Sequence, residues 1–118
     1  MHLLETRDLS HHFSPEDPVL KGVNIAVEKG AIYGFLGPNG AGKTTTLRLI
    51  LGLLKKQRGE VLLFGKDHRA NRLDALRKIG SLIESPSIYG HLTAVENLAL
   101  LQKIYQCPKE RITEVLEL

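Results

Sequence analysis

Long apolar runs are missing from this chain. The most hydrophobic stretch, Leu47 to Leu54, is interrupted by Arg48 and falls far short of the roughly 20 residues that span a bilayer, so any tie to a membrane is expected through a partner. The start, Met1-His2-Leu3-Leu4-Glu5, does not couple a basic region to a long apolar core, which argues against a secretory signal. Cysteine is nearly absent. Cys107 is the one thiol; it excludes an internal disulfide framework, fits a reducing compartment such as the cytosol, and has no CxxC partner that would make it a redox centre. Charge of one sign is never concentrated: 16 Lys and Arg stand against 13 Asp and Glu, with only short pairs such as Lys55-Lys56, so no nucleic-acid partner is expected. The five histidines lack metal-ligand spacing, because His11 and His12 point to opposite faces of a strand while His2, His68 and His91 are scattered; all read as surface residues. Internal repeats and low-complexity segments are lacking as well.

What is present is the composition of one ordinary globular domain: 118 residues, 42% hydrophobic and 25% charged, enough for a real core. Segments Leu3 to Leu9 and Val19 to Val27 read as strands joined by the turn Ser14-Pro15-Glu16-Asp17-Pro18, the second with a partly alternating apolar face. Ala31 to Leu36 is a continuous apolar run, the pattern of a strand buried on both faces of a parallel sheet. After a glycine-rich loop, Leu47, Ile50, Leu51 and Leu54 recur at helical spacing. Glu60 to Phe64 and Ile79 to Ile83 read as further strands, and Arg69 to Lys78 as a basic helix with Leu73 and Leu76 buried. Pro86 and Gly90 break the stretch from Glu84 to Leu92. Thr93 and Glu96 then form a capping box that opens a helix to about Gln106. Pro108 opens a last amphipathic pattern that reaches Leu118 without a glycine cap, so the sequence reads as cut inside a helix.

The loop Gly37-Pro38-Asn39-Gly40-Ala41-Gly42-Lys43-Thr44 carries the chemistry. A triphosphate packs several negative charges into a small volume, and backbone amides turned toward it can hold it without a rigid cage of side chains. Gly37, Gly40 and Gly42 supply positions where positive φ costs little and no Cβ blocks an approaching oxygen. The helix starting near Lys43 adds free amides and its positive dipole end. Lys43 brings a compact charge for the β and γ phosphates, and the Thr44 hydroxyl is the expected protein ligand of Mg²⁺. A strand-like run before the loop and a helix after it supply the context this motif requires, so the expected ligand is a purine nucleoside triphosphate, ATP with magnesium.

The string GPNGAGKTT, residues 37–45, resembles the Walker A loop of ATP-binding cassette (ABC) transporter subunits more closely than the loops of kinases or small GTPases. The resemblance extends to Leu9-Ser10-His11-His12-Phe13, Val19-Leu20-Lys21-Gly22-Val23, Gly52-Leu53-Leu54 and Gly59-Glu60-Val61. It therefore covers essentially the whole chain. It implies an α/β fold: a P-loop NTPase core of ABC type with an N-terminal antiparallel β subdomain, residues 1–118 being a partial nucleotide-binding domain truncated at the start of the helical subdomain. The same resemblance puts Phe13 where an aromatic stacks on adenine, and Thr45 where a hydroxyl contacts the α phosphate. Asn39 and Ala41 complete the loop's nucleotide-binding set.

Ile79-Gly80-Ser81-Leu82-Ile83-Glu84 resembles the strand entering the family's Q-loop, where a glutamine usually contacts Mg²⁺ or the attacking water. Glu84 stands there instead. A carboxylate also accepts from water and binds magnesium, but it adds negative charge near the γ phosphate and cannot donate while ionised. Lys43 and Glu84 are thus the catalytic candidates, with Thr44 and Glu84 the magnesium candidates. Glu84 followed by Ser85-Pro86 is similar to the branch of lantibiotic-immunity and bacitracin-resistance ATPases, which implies peptide export or self-protection. The resemblance further implies a second copy of the subunit, a membrane permease contacted near residues 84–105, and a place on the inner face of the cell membrane. The family's LSGGQ signature, Walker B strand and switch histidine do not occur in these 118 residues, so the chain alone is expected to bind ATP and not to hydrolyse it, and to expose sheet edges. A soluble ABC protein acting on ribosomes or DNA, and a non-catalytic remnant, are the competing readings.

Overall fold

Two long strands open the chain and zip together over most of their length. The computed structural model describes residues 2–38, 42–83 and 88–118. Strands β1 (His2–Ser14) and β2 (Asp17–Glu28) pair antiparallel from His2 opposite Glu28 to Ser14 opposite Asp17, which leaves Pro15-Glu16 as the turn. β3 (Arg58–Leu63) pairs antiparallel with the other edge of β1, and β4 (Lys66–Asp67) with β3, giving the sheet order β2-β1-β3-β4. Helix α1 is Lys43–Leu51, α2 Arg72–Leu76, α3 Ala94–Tyr105 and α4 Glu110–Leu116. Residues 1–79 and 80–118 form separate compact units.

The strands are longer than expected and irregular, and the irregularity decides which side chains are buried. Asp8 and Gly22 take positive φ of 49° and 59° beside the register shift between Thr6 and Leu9. A bulge of this kind breaks the period of two, so Thr6 and Leu9, three apart, are both buried. Side chains close the gap: Thr6 Oγ1 donates to Val23 O and accepts from Ile25 N, both at 2.9 Å, and Asn24 Oδ1 accepts from Asp8 N at 3.0 Å. Gly59, φ 92°, crosses this bulge, where a Cβ would lie 2.4 Å from Asp8 O.

Leu9, Leu20, Val61 and Leu63 of the sheet meet Leu49 and Ile50 of α1 and Ala75 of α2 in one cluster. The buried face of α1 is Thr46, Leu49 and Ile50, while Leu47 is exposed, so the helix sits rotated from the stripe that leucine spacing suggests. Its end closes as a Schellman turn, Leu53 N–H donating to Arg48 O at 2.8 Å and Gly52 N–H to Leu49 O at 3.2 Å.

Several expectations are corrected. Ala31–Leu36 is not a strand, and Ile32 and Leu36 are fully exposed; a parallel strand needs neighbours to take its backbone groups, and no described segment pairs with it. Ile79–Ile83 forms no strand for the same reason. The basic helix shrinks to Arg72–Leu76 with Ala75 buried and Leu73 exposed, because residues 66–67 join the sheet and Asp67 Oδ1 accepts from Arg69 N–H at 2.8 Å, holding the chain in a turn. His11 is buried, not on the surface.

In residues 80–118, the capping box forms as read: Glu96 N–H donates to Thr93 Oγ1 at 3.1 Å, and Thr93 N–H to Glu96 Oε1 at 3.0 Å. Hydrogen bonds from the Thr93 backbone N–H, and then from its side chain, hold the Glu96 carboxyl below the usual carboxylate range. Asn97 ties the preceding turn, accepting from Tyr89 N–H at 2.9 Å and donating to Thr93 O at 2.9 Å. No helix among the described residues is long and apolar enough to cross a membrane.

Candidate functional site

The N-terminus of α1 is the chemical focus of the first unit. Gly42 precedes the helix with φ 96° and no side-chain cap, leaving the first amides without intrahelical partners. Gly42 is also buried: a Cβ would sit 2.5 Å from Leu20 Cδ2 and 3.1 Å from Val19 O. Glycine is therefore required twice, for conformation and for space. Thr46 anchors the first turn, its hydroxyl donating to Gly42 O at 2.8 Å and its N–H at 2.9 Å.

The Lys43 side chain turns back over the loop, and its ammonium donates to Gly37 O. A carbonyl is a modest partner for an ammonium, and a phosphate is a stronger one, so the amine is held at the loop and can be exchanged. Thr44 and Thr45 are half-buried beside it. Gly37 and Pro38 border the loop, while Asn39, Gly40 and Ala41 lie outside the described residues, as does Glu84.

Phe13, 62% exposed, ends the same hairpin. Its ring meets His11 edge to face, with centroids 4.8 Å apart. His11 pairs with Leu20 across the sheet, and Leu20 touches Gly42. The hairpin tip that carries Phe13 is thereby tied to the helix N-terminus. Val19, Leu20 and His11 support the site, a role the sequence pattern did not give them; a buried glycine implies a close neighbour, but nothing in the local pattern names it.

The residues present suit a magnesium-bound triphosphate. They combine free amides, an exchangeable ammonium, two hydroxyls at the helix start and an exposed aromatic on the adjoining strand. No group of His, Cys, Asp and Glu among the described residues forms a metal cage by itself.

A family model described as "ABC transporter" matches residues 20–118. The chain belongs to the ABC transporter family. The bacitracin transport ATP-binding protein BcrA of Bacillus licheniformis is 45% identical over 117 residues, 98% of this chain and 38% of that protein. The lantibiotic transport ATP-binding protein SrtF of Streptococcus pyogenes is 37% identical over 98 residues, 83% of this chain and 42% of that protein. A solved ATP-binding subunit of an ABC transporter superposes with a TM-score of 0.80 at 33% identity, over 90% of this chain and 44% of its own. The cbiO1 structure from Clostridium perfringens, at 23% identity and a TM-score of 0.77, shares the fold. The chain thus spans about two fifths of the curated relatives' length. The ABC-type fold, including the antiparallel β subdomain, stands as the resemblance implied.

Proposed function

We propose that Gly37 to Thr45 hold the phosphates of Mg-ATP, as the Walker A loop of the ATP-binding subunit of an ABC exporter. The observation that carries this reading is the Lys43 ammonium on Gly37 O over a helix start opened by Gly42. Lys43 pairs with the β and γ phosphates, Thr44 ligates magnesium, Thr45 meets the α phosphate, and Phe13 stacks on adenine. Asn39, Gly40 and Ala41 belong to the same nucleotide-binding set, and Glu84, at the Q-loop position of the sequence, is the second magnesium candidate. Magnesium supplies charge neutralisation on the phosphates.

Hydrolysis coupled to transport belongs to the whole subunit paired with a second copy, seated on the cytoplasmic face through a permease that contacts residues 84–105. Val95, Leu101 and Ile104 on α3 are exposed, in keeping with a partner surface there. The antibiotic-transport relatives support peptide export as the transported class. Residues 1–118 are the first part of that nucleotide-binding domain.

Lys43→Ala is the direct test. Removing a charge-assisted contact of about 1.5–3 kcal/mol is expected to weaken ATP binding by roughly ten- to a hundredfold, measured by calorimetry on the full-length protein. Unchanged affinity would sink the assignment.

A further inference from the structure

The opposite end of α1 carries a second cationic concavity. Lys55, Lys56, His68, Arg69 and Arg72 surround a cleft of about 460 Å³, against one acid, Asp67. Among the described residues, none of these lysines and arginines takes part in an ion pair within 4 Å, and Asp67 already accepts from Arg69 N–H.

Basic residues after a helix often serve to satisfy its last carbonyls, but here the backbone already takes two of the last four, Arg48 O and Leu49 O. Gly52, Leu53 and Leu54 N–H donate to Leu49 O and Arg48 O at 2.8–3.3 Å. Among the described residues the Lys56 ammonium donates to Gly59 O at 2.5 Å, whereas the Lys55, Arg69 and Arg72 side chains are left over. Gly52 also lets them close in: a Cβ there would lie 2.8 Å from His68 Cε1 and 2.9 Å from Arg72 Nε.

His68 Nε2 is buried and has no hydrogen-bond partner. An orphaned buried nitrogen costs free energy unless something fills the vacancy in its bonding. Burial first, then the Arg72 charge, hold the His68 pKa below its usual value, with Lys56 adding to the depression and Asp67 opposing it. A metal cation has no place among these charges. A tetrahedral anion offers acceptors to a guanidinium fork and an imidazole N–H together.

We propose that this cleft binds a small phosphate-bearing anion between the Arg72 guanidinium and the His68 imidazole, with Lys55, Lys56 and Arg69 around it. The site is separate from the Walker A loop, because the nine residues of α1 set the two helix ends roughly 13 Å apart. It does not depend on the nucleotide reading.

The test is an NMR titration of inorganic phosphate into the full-length Lys43→Ala protein, in which the loop's main cation is gone. The His68 ring resonances are expected to shift saturably, with a Kd of about 1 mM or tighter, and the His68 pKa to rise as phosphate binds. Arg72→Met is expected to weaken binding about tenfold, and Arg69→Met to act in the same direction should Arg72→Met fail to fold. Lys66→Met, exposed on β4 outside the cleft, is expected to leave affinity unchanged. Silent His68 resonances, indifference to both arginine substitutions, or an equal loss in Lys66→Met would each overturn the site.

Discussion

Residues 2–79 and residues 80–118 reach order by different routes. In the first, seven hydrophobic side chains from three strands and two helices share one buried cluster. In the second, neither α3 nor α4 buries a residue, and near-neighbour bonds hold the chain: the Thr93–Glu96 box, the Asn97 ties, and Gln102 Nε2 donating to Cys107 O at 2.6 Å. A sheet offers a helix a broad apolar surface, whereas two short helices cover little of each other. The first unit is therefore expected to be sensitive to cavities and the second to lost caps.

Leu49→Ala probes that contrast most strongly. Leu49 is 1% exposed, and truncation is expected to cost about 2–5 kcal/mol by denaturant unfolding of the first unit; a loss below about 1 kcal/mol would mean that the cluster is not what holds it. Gly42→Ala comes next. Forcing a side chain into φ 96° and against Leu20 is expected to cost about 1–3 kcal/mol of backbone strain and to abolish ATP binding, read by calorimetry. Thr93→Ala, at about 0.5–2 kcal/mol, is expected to fray the start of α3 in hydrogen exchange while the sheet's protection stays unchanged.

Acid gives the smallest and most localised effect. The Glu96 pKa is depressed in the folded chain, so its contribution is fully present above the unfolded value of about 4.3 and is lost as pH falls through the lower folded value. Circular dichroism is expected to show loss of helix below about pH 4.3, and Glu96→Gln is expected to remove that dependence. A pH response that survives Glu96→Gln would move the cause elsewhere.

The capping box, the hairpin turn and the helix start after Gly42 were legible because each is written in residues close together in the chain. Thr93 and Glu96 are three apart, and Gly42, Lys43 and Thr44 are consecutive. Ala31–Leu36 misled for the converse reason. Its composition is that of a buried parallel strand, but strand formation depends on hydrogen-bonding partners that lie far away in sequence, and none of the described segments takes that place. Leu73 misled in the same way: helical spacing named it, while packing selected Ala75.

By itself, then, the sequence determined the family, through the residues around the glycine-rich loop, and the Thr93–Glu96 capping box, since backbone freedom and side-chain type are local properties. Tertiary structure alone decided that Gly42 rests on Val19 and Leu20, that His11 lies buried beside Phe13, and that Lys55, Lys56, His68, Arg69 and Arg72 meet around one cleft. Those outcomes depend on a bulge and a hairpin that bring distant residues together, and no window of adjacent residues contains that information.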